Sequence, residues 1–410
     1  MELQQGGAAV PERDLPFEAA VDRFRGLLKE QAERAERIGK PTEWLDYATL
    51  DRLVIGVIGG DGIGPTIAKE AKKTLEVLLS AELKSGRVEI REIQGLTIEN
   101  RAKQSKAVPD EVLEEIKKCH VLLKGPTTTP DEGSGLPNLE SANIAIRKAF
   151  DLFANVRPVK VPSQGIDWVF FRENTEGEYV LGSKGVMVTP DLAVDFKVIT
   201  RPGSQRIIRL AFEHARKTGR RKVTVVTKAN VIKTTDGLFL ETAKRVAKDF
   251  PEISWDGWYV DVFTAKLIDE KRRREFEVVV LPNLYGDIVT DEAAELQGGV
   301  GTAGSANIGA RFGMFEAIHG SAPRMVAEGR EEYADPLSLM RAGVMLLEHV
   351  GMLEKSRRLS MALDVCGVYE QKLKITGRSD GAKASQFGDY VVSALSDPHL
   401  EERWKAYQKS

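Results

Sequence analysis

From residue 53 onward, short apolar runs alternate with amphipathic segments, and this alternation constrains the fold more than any other feature. Strand-like runs occur at residues 53–58, 88–93, 121–125, 168–173, 222–228 and 276–283. Helical spacing of apolar residues occurs between them at 65–79, 109–118, 205–217 and 235–249, and three more helical stretches follow Pro336. Such alternation predicts an α/β protein built on a largely parallel sheet.

The N-terminal 50 residues differ in character from the rest of the chain. Between Phe17 and Ala32, apolar residues recur at helical spacing inside a heavily charged stretch. We therefore predict a helical extension over residues 1–50, docked on the body of the protein or on a partner subunit.

Composition argues against several classes of partner. The 59 Lys and Arg residues nearly balance the 61 Asp and Glu residues, so no basic surface for nucleic acid or membrane is indicated. Two cysteines are too few for a disulfide framework or a thiolate-rich zinc site. No apolar run approaches the roughly 20 residues of a membrane-spanning helix. We expect a cytoplasmic protein with neither a nucleic-acid nor a membrane partner.

A glycine-rich turn at residues 56–65 follows the first predicted strand. Gly60, Gly62 and Gly64 are spaced G-x-G-x-G, whereas the Rossmann dinucleotide fingerprint requires G-x-G-x-x-G. The spacing argues against a Rossmann site. The glycines instead indicate a turn that lies close to a ligand or to a neighbouring loop.

Three arginines and two aspartates are candidates for a polycarboxylate site. Arg147, Arg157 and Arg172 follow one another at the ends of predicted elements, and guanidinium groups bind carboxylates bidentately. Asp287 and Asp291 are four residues apart, on one face of a helix that we predict to begin at Asp287. Their oxygens suit Mg²⁺ or Mn²⁺, although acidic residues in a first helical turn also simply complement the helix dipole.

Eight motifs extend this pattern along the chain: GDGIGP (60–65), LKGPTTTP (123–130), SANIAIR (141–147), VRPV (156–159), FRENTEGEY (171–179), TKANVIK (227–233), NLYGDIVTD (283–291) and FEAIHGSAP (315–323). In this order they resemble the isocitrate/isopropylmalate dehydrogenase family of metal-dependent β-decarboxylating dehydrogenases, and isocitrate dehydrogenase most of all. The resemblance runs from about residue 54 to residue 395.

The resemblance implies a two-domain α/β fold that is not a Rossmann fold. Residues 51–150 and 300–410 would form a large domain, and residues 151–299 a small domain with a clasp near 180–200. It also implies a homodimer that shares its active sites.

The resemblance further implies a role for each matching residue. Tyr179 and Lys228 would be catalytic, with Lys228 as the base and Tyr179 as the proton donor to the enol carbon. The substrate would be bound by Ser141, Asn143, Arg147, Arg157 and Arg172. The metal would be held by Asp261, Asp287 and Asp291, and the nucleotide by Thr128, Asn230, His319, Gly320, Arg324 and Asp335. Lys228, Asn230 and Asp261 would reach into the partner's site.

The implied reaction is the oxidative decarboxylation of isocitrate to 2-oxoglutarate and CO₂, with NADP or NAD and with Mg²⁺ or Mn²⁺. Ser141 and Asn143 favour isocitrate, whereas the short clasp favours the isopropylmalate branch, and the loop at 127–140 is longer than in typical bacterial isocitrate dehydrogenases. A homoisocitrate, isopropylmalate or tartrate-type dehydrogenase is the alternative substrate class, and a non-catalytic regulatory subunit is the alternative role. Arg324 stands where NAD-dependent relatives often carry Asp, which favours NADP.

Overall fold

The structure, a computed structural model, describes residues 17–130, 135–182, 185–299 and 303–409. The strands in this part of the chain are β1 Leu53–Ile58, β2 Val88–Glu92, β3 Val121–Lys124, β4 Ala154–Val161, β5 Ile166–Glu173, β6 Val186–Thr189, β7 Leu192–Val194, β8 Lys222–Thr227, β9 Ser254–Tyr259, β10 Val278–Leu281, β11 Gly304–Ile308 and β12 Gly313–Ala317.

Ten of these strands form one sheet in the order β2-β1-β3-β12-β11-β4-β5-β10-β8-β9. Six of its nine pairings are parallel, which confirms the predicted α/β architecture with a largely parallel sheet. The three antiparallel pairings are consecutive and lie at the centre, from β12 through β11 and β4 to β5. The hairpin of β6 and β7 is separate and falls in the predicted clasp.

Three of the strands that sequence reasoning missed, β4, β11 and β12, carry polar or charged residues at buried positions. In β11, Ser305 and Asn307 are buried, and Asn155 of β4 donates hydrogen bonds to both, at 2.7 and 3.0 Å. Because a strand that buries polar groups has no apolar run, hydrophobicity alone does not reveal it.

The helices of the described residues are α1 Phe17–Ile38, α2 Gly64–Leu78, α3 Ser80–Lys84, α4 Ile98–Gln104, α5 Asp110–Lys117, α6 Ala142–Ala149, α7 Arg201–Thr218, α8 Thr235–Val246, α9 Val260–Leu267, α10 Asn283–Leu296, α11 Pro323–Ala327, α12 Leu337–His349, α13 Leu353–Asp364, α14 Ala384–Ser396 and α15 Leu400–Lys409. None of them is both long and apolar enough to cross a membrane.

The predicted start of α10 at Asp287 is wrong. The helix begins four residues earlier, at Asn283, directly after Pro282 in an extended conformation. Gly286, which precedes the predicted start, is helical, and a Cβ at that position would lie 2.5 Å from Cγ of Arg172. The glycine therefore makes room for an arginine, and Asp287 and Asp291 lie inside the helix rather than at its entrance.

Helix α1 lies within the predicted N-terminal extension and packs against α7 and β6. Ala20 and Gln31 are buried beneath it, and the rings of Phe24 and Phe196 meet edge to face with centroids 3.9 Å apart. Residues 1–16 of the extension lie outside the described residues. The domain boundaries that the resemblance implies remain predictions.

The apolar core lies on both faces of the sheet, and β5 at its centre is buried on both sides. Trp168 and Phe170 pack on one face with Phe263, while Val169 and Phe171 belong to the cluster on the other face. A strand buried on both faces is a rigid support, and it ends at Arg172 and Glu173.

Candidate active site

Arg172 ends β5 beside the first turn of α10, and its side chain is only 2 % exposed. Its Nε and Nη2 donate to Oδ1 of Asn283 at 2.9 and 2.7 Å, and Nη1 forms an ion pair with Asp287. Burial lowers the pKa of this guanidinium to about 10, so it is still charged at neutral pH. The strand, the helix and Gly286 together fix a cation whose position does not depend on a ligand.

Tyr179 joins the same cluster from the loop that follows β5. Its hydroxyl donates to Oδ2 of Asp287 at 2.8 Å, and its ring lies 5.4 Å from the guanidinium carbon of Arg172. Burial and the neighbouring Asp287 carboxylate raise the pKa of Tyr179 to about 12. Burial opposes ionisation of Asp287, but Arg172, the hydrogen bond from Tyr179 and the other two arginines together outweigh it, so the pKa of Asp287 is lowered. The pair is therefore a protonated phenol beside a carboxylate.

Arg157 of β4 contacts the second aspartate. Its Nη1 lies 2.8 Å from Oδ1 of Asp291 and 2.5 Å from Oγ1 of Thr290, and its Nη2 lies 3.9 Å from Oδ1 of Asp287. The structure thus brings two predicted substrate arginines and two predicted metal aspartates together.

Arg147 of α6 contacts a different carboxylate. Its Nη2 lies 3.1 Å from Oε1 of Glu316, and the buried Lys124 lies 3.6 Å from Oε2 of the same carboxylate. Burial disfavours the charge on Glu316, but Lys124 and Arg147 outweigh it, so the pKa of Glu316 is lowered. Sequence reasoning missed Lys124 and Glu316 as site residues, although both lie in the quoted motifs LKGPTTTP and FEAIHGSAP.

A cavity of about 130 Å³ opens between these groups. Its lining includes Asn143, Arg147, Arg157, His319 and Gly320. Oδ1 of Asn143 accepts a hydrogen bond from Thr127 at 3.3 Å. Ser141 occupies the N-cap position of α6, yet its side chain makes no capping hydrogen bond, and it lies one turn before Ala145 on the same helix. Predicted substrate and nucleotide residues therefore border one space.

The glycine-rich turn before α2 is anchored next to this cavity. Asp61 accepts hydrogen bonds from the backbone N–H groups of Thr128 and Ile98, both at 2.7 Å, and Oγ1 of Thr128 lies 2.7 Å from Oγ of Ser321. A Cβ on Gly62 would lie 2.0 Å from the Ser321 carbonyl oxygen. The glycine turn thus fits against the segment that carries His319, whose pKa burial lowers.

Two predicted nucleotide residues lie apart from that cavity. Arg324 is 89 % exposed and pairs with Glu328 at 2.8 Å. Asp335 borders a different cavity of about 350 Å³, and burial raises its pKa to about 6. Neither residue is brought into contact with the arginine cluster.

Lys228 and Asp261 form a separate pair, and Asn230 follows two residues after Lys228. Nζ of Lys228 lies 2.7 Å from Oδ1 of Asp261, and the backbone N–H of Lys228 donates to the buried Asp236 at 2.6 Å. The hydrogen bond from Lys228 lowers the pKa of Asp261. Within the described ranges, no hydrogen bond or ion pair joins Lys228 or Asp261 directly to Tyr179 or Asp287.

One chain supplies some, but not all, of the oxygen ligands that a hard divalent cation would need. Asp287 and Asp291 offer carboxylate oxygens on one helix face, which is the chemistry that Mg²⁺ and Mn²⁺ prefer. Among the residues that the structure describes, however, no three His, Cys, Asp or Glu side chains converge as a metal site. A third carboxylate would have to come from elsewhere.

The match of the sequence to a dehydrogenase family profile places this mixed sheet and its cluster of arginines, carboxylates and a protonated tyrosine in the NAD(P)- and metal-dependent dehydrogenase class. More narrowly, the chain belongs to the isocitrate/isopropylmalate dehydrogenase family, whose sequence profile matches residues 54–391.

Named relatives agree with this assignment. Subunit 2 of a mitochondrial NAD isocitrate dehydrogenase from Schizosaccharomyces pombe is 38% identical over 354 residues, covering 83% of this chain and 87% of its own. A homoisocitrate dehydrogenase from Methanocaldococcus jannaschii is 36% identical over 86% of this chain and 99% of its own. The crystal structure of isocitrate dehydrogenase from Methylococcus capsulatus matches 84% of this chain and all of its own, with a TM-score of 0.73 and 34% identity. The names of some relatives specify NAD and those of others specify NADP.

Proposed function

We propose that the protein oxidises isocitrate to 2-oxoglutarate and CO₂ while reducing NADP. The observation that carries this proposal is the shared cavity, in which Asn143 borders the same space as Arg147 and Arg157. Several carboxylate-binding groups at one small cavity suit a tricarboxylate better than a ligand with an alkyl tail, because an alkyl group would leave buried polar atoms unpaired.

The chain's own residues have distinct tasks in this proposal. Arg147, Arg157 and Arg172 bind the substrate carboxylates, with Ser141 and Asn143 at the carboxylate remote from the reacting carbon. Lys228 accepts the proton of the substrate hydroxyl in the partner's site. Tyr179 is protonated at neutral pH, as an ordinary tyrosine is, and it donates this proton to the enol carbon.

Asp287 and Asp291, with Asp261 of the other subunit, would hold Mg²⁺ or Mn²⁺. Such an ion, when bound, polarises the substrate hydroxyl and carboxylate. Thr128, Asn230, His319, Gly320 and Asp335 would hold the nucleotide, and Arg324 would meet the 2′-phosphate of NADP.

The separation of the two groups of residues supports the proposal of a homodimer that shares its active sites. Large apolar side chains are exposed beside residues that we propose to be shared: Val231 and Ile232 after Asn230, Tyr259 and Val262 on either side of Asp261, and Ile288 after Asp287. Exposed apolar groups at such positions favour burial by a second copy of the chain.

The test is NAD(P)H absorbance at 340 nm with Mg²⁺, using isocitrate, homoisocitrate, isopropylmalate and tartrate, each with NAD and with NADP. We expect reduction with isocitrate and a preference for NADP. A preference for homoisocitrate would favour the second candidate, which the similarity to the Methanocaldococcus jannaschii enzyme supports. Inactivity of folded, metal-loaded protein with every pair would favour the regulatory-subunit role.

A further inference from the structure

Helix α1 precedes the region that the family profile matches, which begins at residue 54. One side chain of α1 reaches far from its own helix. Nη1 of Arg34 lies 3.0 Å from Oε1 of Glu176, and Nη2 donates to Oγ1 of Thr175 at 3.1 Å. The arginine is 14 % exposed and the glutamate is fully buried.

Glu176 is a buried carboxylate with a second carboxylate next to it. Glu173 accepts the backbone N–H of Glu176 at 2.6 Å, and burial together with Glu176 raises the pKa of Glu173 to about 7. The other nearby cation, Arg206, forms two hydrogen bonds to Asp151 and bonds Thr175 rather than Glu176. Among the residues that the structure describes, Arg34 is therefore the cation that forms an ion pair with Glu176.

Glu176 in turn holds the loop that leads to Tyr179. Its side chain accepts from the backbone N–H of Thr200 at 2.9 Å, and its backbone carbonyl accepts from Nδ2 of Asn283 at 3.0 Å. The same Asn283 accepts two hydrogen bonds from Arg172 through Oδ1. A continuous chain of contacts thus runs from α1 through Glu176 and Asn283 to the buried arginine.

Neighbouring backbone leaves the Glu176 side chain little room to adopt another conformation. A Cβ on Gly203, at the start of α7, would lie 2.3 Å from Oε1 of Glu176. Gly177 adopts a φ of +73°, and its backbone pairs with Val198 at 2.8 and 3.2 Å. A carboxylate that loses its counter-charge here has no room to turn toward solvent, so either it takes up a proton or the loop moves, and both change the hydrogen bonds that hold the loop.

We propose that Arg34 is a positioning residue: from the N-terminal helix it neutralises Glu176 and so holds the 174–179 loop, Arg172 and Tyr179 in register for catalysis. Helix α1 is then an internal brace of the active site rather than a passive extension. The expected effect of Arg34 on catalysis rests on the proposed function, whereas its expected effect on the order of the 174–179 loop does not.

The experiment compares R34A, R34K and the matched control R37A, since Arg37 lies one turn further along the same helix and is exposed. Removing a charge-assisted bond should lower kcat/KM for isocitrate about 10-fold in R34A. R34K should recover most of the activity, and R37A should stay within about twofold of the wild type. A loss in R37A equal to that in R34A would overturn the proposal, because it would mean that α1 acts only through general stability.

A double-mutant cycle with E176Q isolates the pair. In the E176Q background the charge that Arg34 neutralises is gone, so R34A should add less than about threefold to the loss. Equal effects of R34A in both backgrounds would show that Arg34 acts elsewhere.

Hydrogen–deuterium exchange of peptides covering residues 172–182 gives a readout that needs no substrate. R34A should increase exchange there several-fold, and R37A should not. Unchanged exchange in R34A refutes the brace. Raised exchange in a protein that turns over none of the four acids leaves the brace standing and removes only the proposed function.

Discussion

Gly286 tests the packing of the candidate site most directly. It lies within α10, where alanine normally stabilises a helix by about 1 kcal/mol relative to glycine. Here the added methyl would lie 2.5 Å from Cγ and 2.7 Å from Cβ of Arg172. The arginine cannot move aside easily because it is 2 % exposed and bonded to Asn283 and Asp287.

The magnitude for G286A follows from two opposing terms. Overpacking of a filled site costs about 1–3 kcal/mol, and the gain in helix propensity offsets about 1 kcal/mol of it, so the free energy of unfolding should fall by about 0–2 kcal/mol. Displacing Arg172 should remove a charge-assisted bond to a substrate carboxylate, worth about 1.5–3 kcal/mol. That corresponds to a loss of about 10- to 150-fold in kcat/KM, mainly through KM.

The assay is steady-state NADPH formation over a range of isocitrate concentrations, alongside urea unfolding. The matched control is G343A in α12, where the new methyl would meet only Leu75 and Leu359 at 3.7 and 3.8 Å. That variant should keep wild-type KM and gain up to about 1 kcal/mol of stability. Wild-type KM and stability in G286A would refute the argument that Gly286 exists to seat Arg172.

Three further predictions concern other parts of the site. Y179F removes the proton donor but keeps the ring, so in steady-state assays kcat should fall about 100-fold while KM stays within about threefold of the wild-type value. An unchanged kcat would exclude Tyr179 as the acid. In the folded protein the pKa of Asp335 is about 6, above its ordinary value of 3.8, so the stability that its protonated form contributes should be lost as the pH rises from about 4 to about 6. D335N should remove this part of the pH dependence of the melting temperature. If the melting temperatures of the wild type and D335N vary with pH in parallel, the assigned burial of Asp335 is contradicted. V231D replaces an apolar side chain that is 67% exposed with a charged one, so sedimentation should show a shift from dimer to monomer, with loss of activity. The control L353D, on α13 at a side chain that is 57% exposed, should leave the oligomeric state and the activity unchanged. If V231D remains a dimer like the wild type, the interface lies elsewhere.

Local sequence patterns were sufficient where structure depends on local chemistry. Strands β1, β2 and β3 and helices α2 and α5 between them have the periodicities that predicted them, because each buries apolar residues against the sheet, whereas α3 and α4 lie outside the predicted helical segments. The motif order identified the family for the same reason, since residues with a shared chemical task keep their spacing along the chain.

Tertiary structure decided what depends on contacts between distant segments. The three antiparallel pairings at the centre of the sheet involve strands such as β11, whose buried Ser305 and Asn307 are satisfied only by Asn155, 150 residues away in the chain. The predicted start of α10 was wrong because Gly286 makes room for Arg172, which lies in strand β5. The spacing of residues within α10 gives no information about that arginine. The pairing of Lys124 and Arg147 with Glu316, and that of Arg34 with Glu176, are likewise ionic contacts between remote segments. Periodicity reports which face of a segment is apolar, whereas the partner of a buried charge is fixed only when the chain folds.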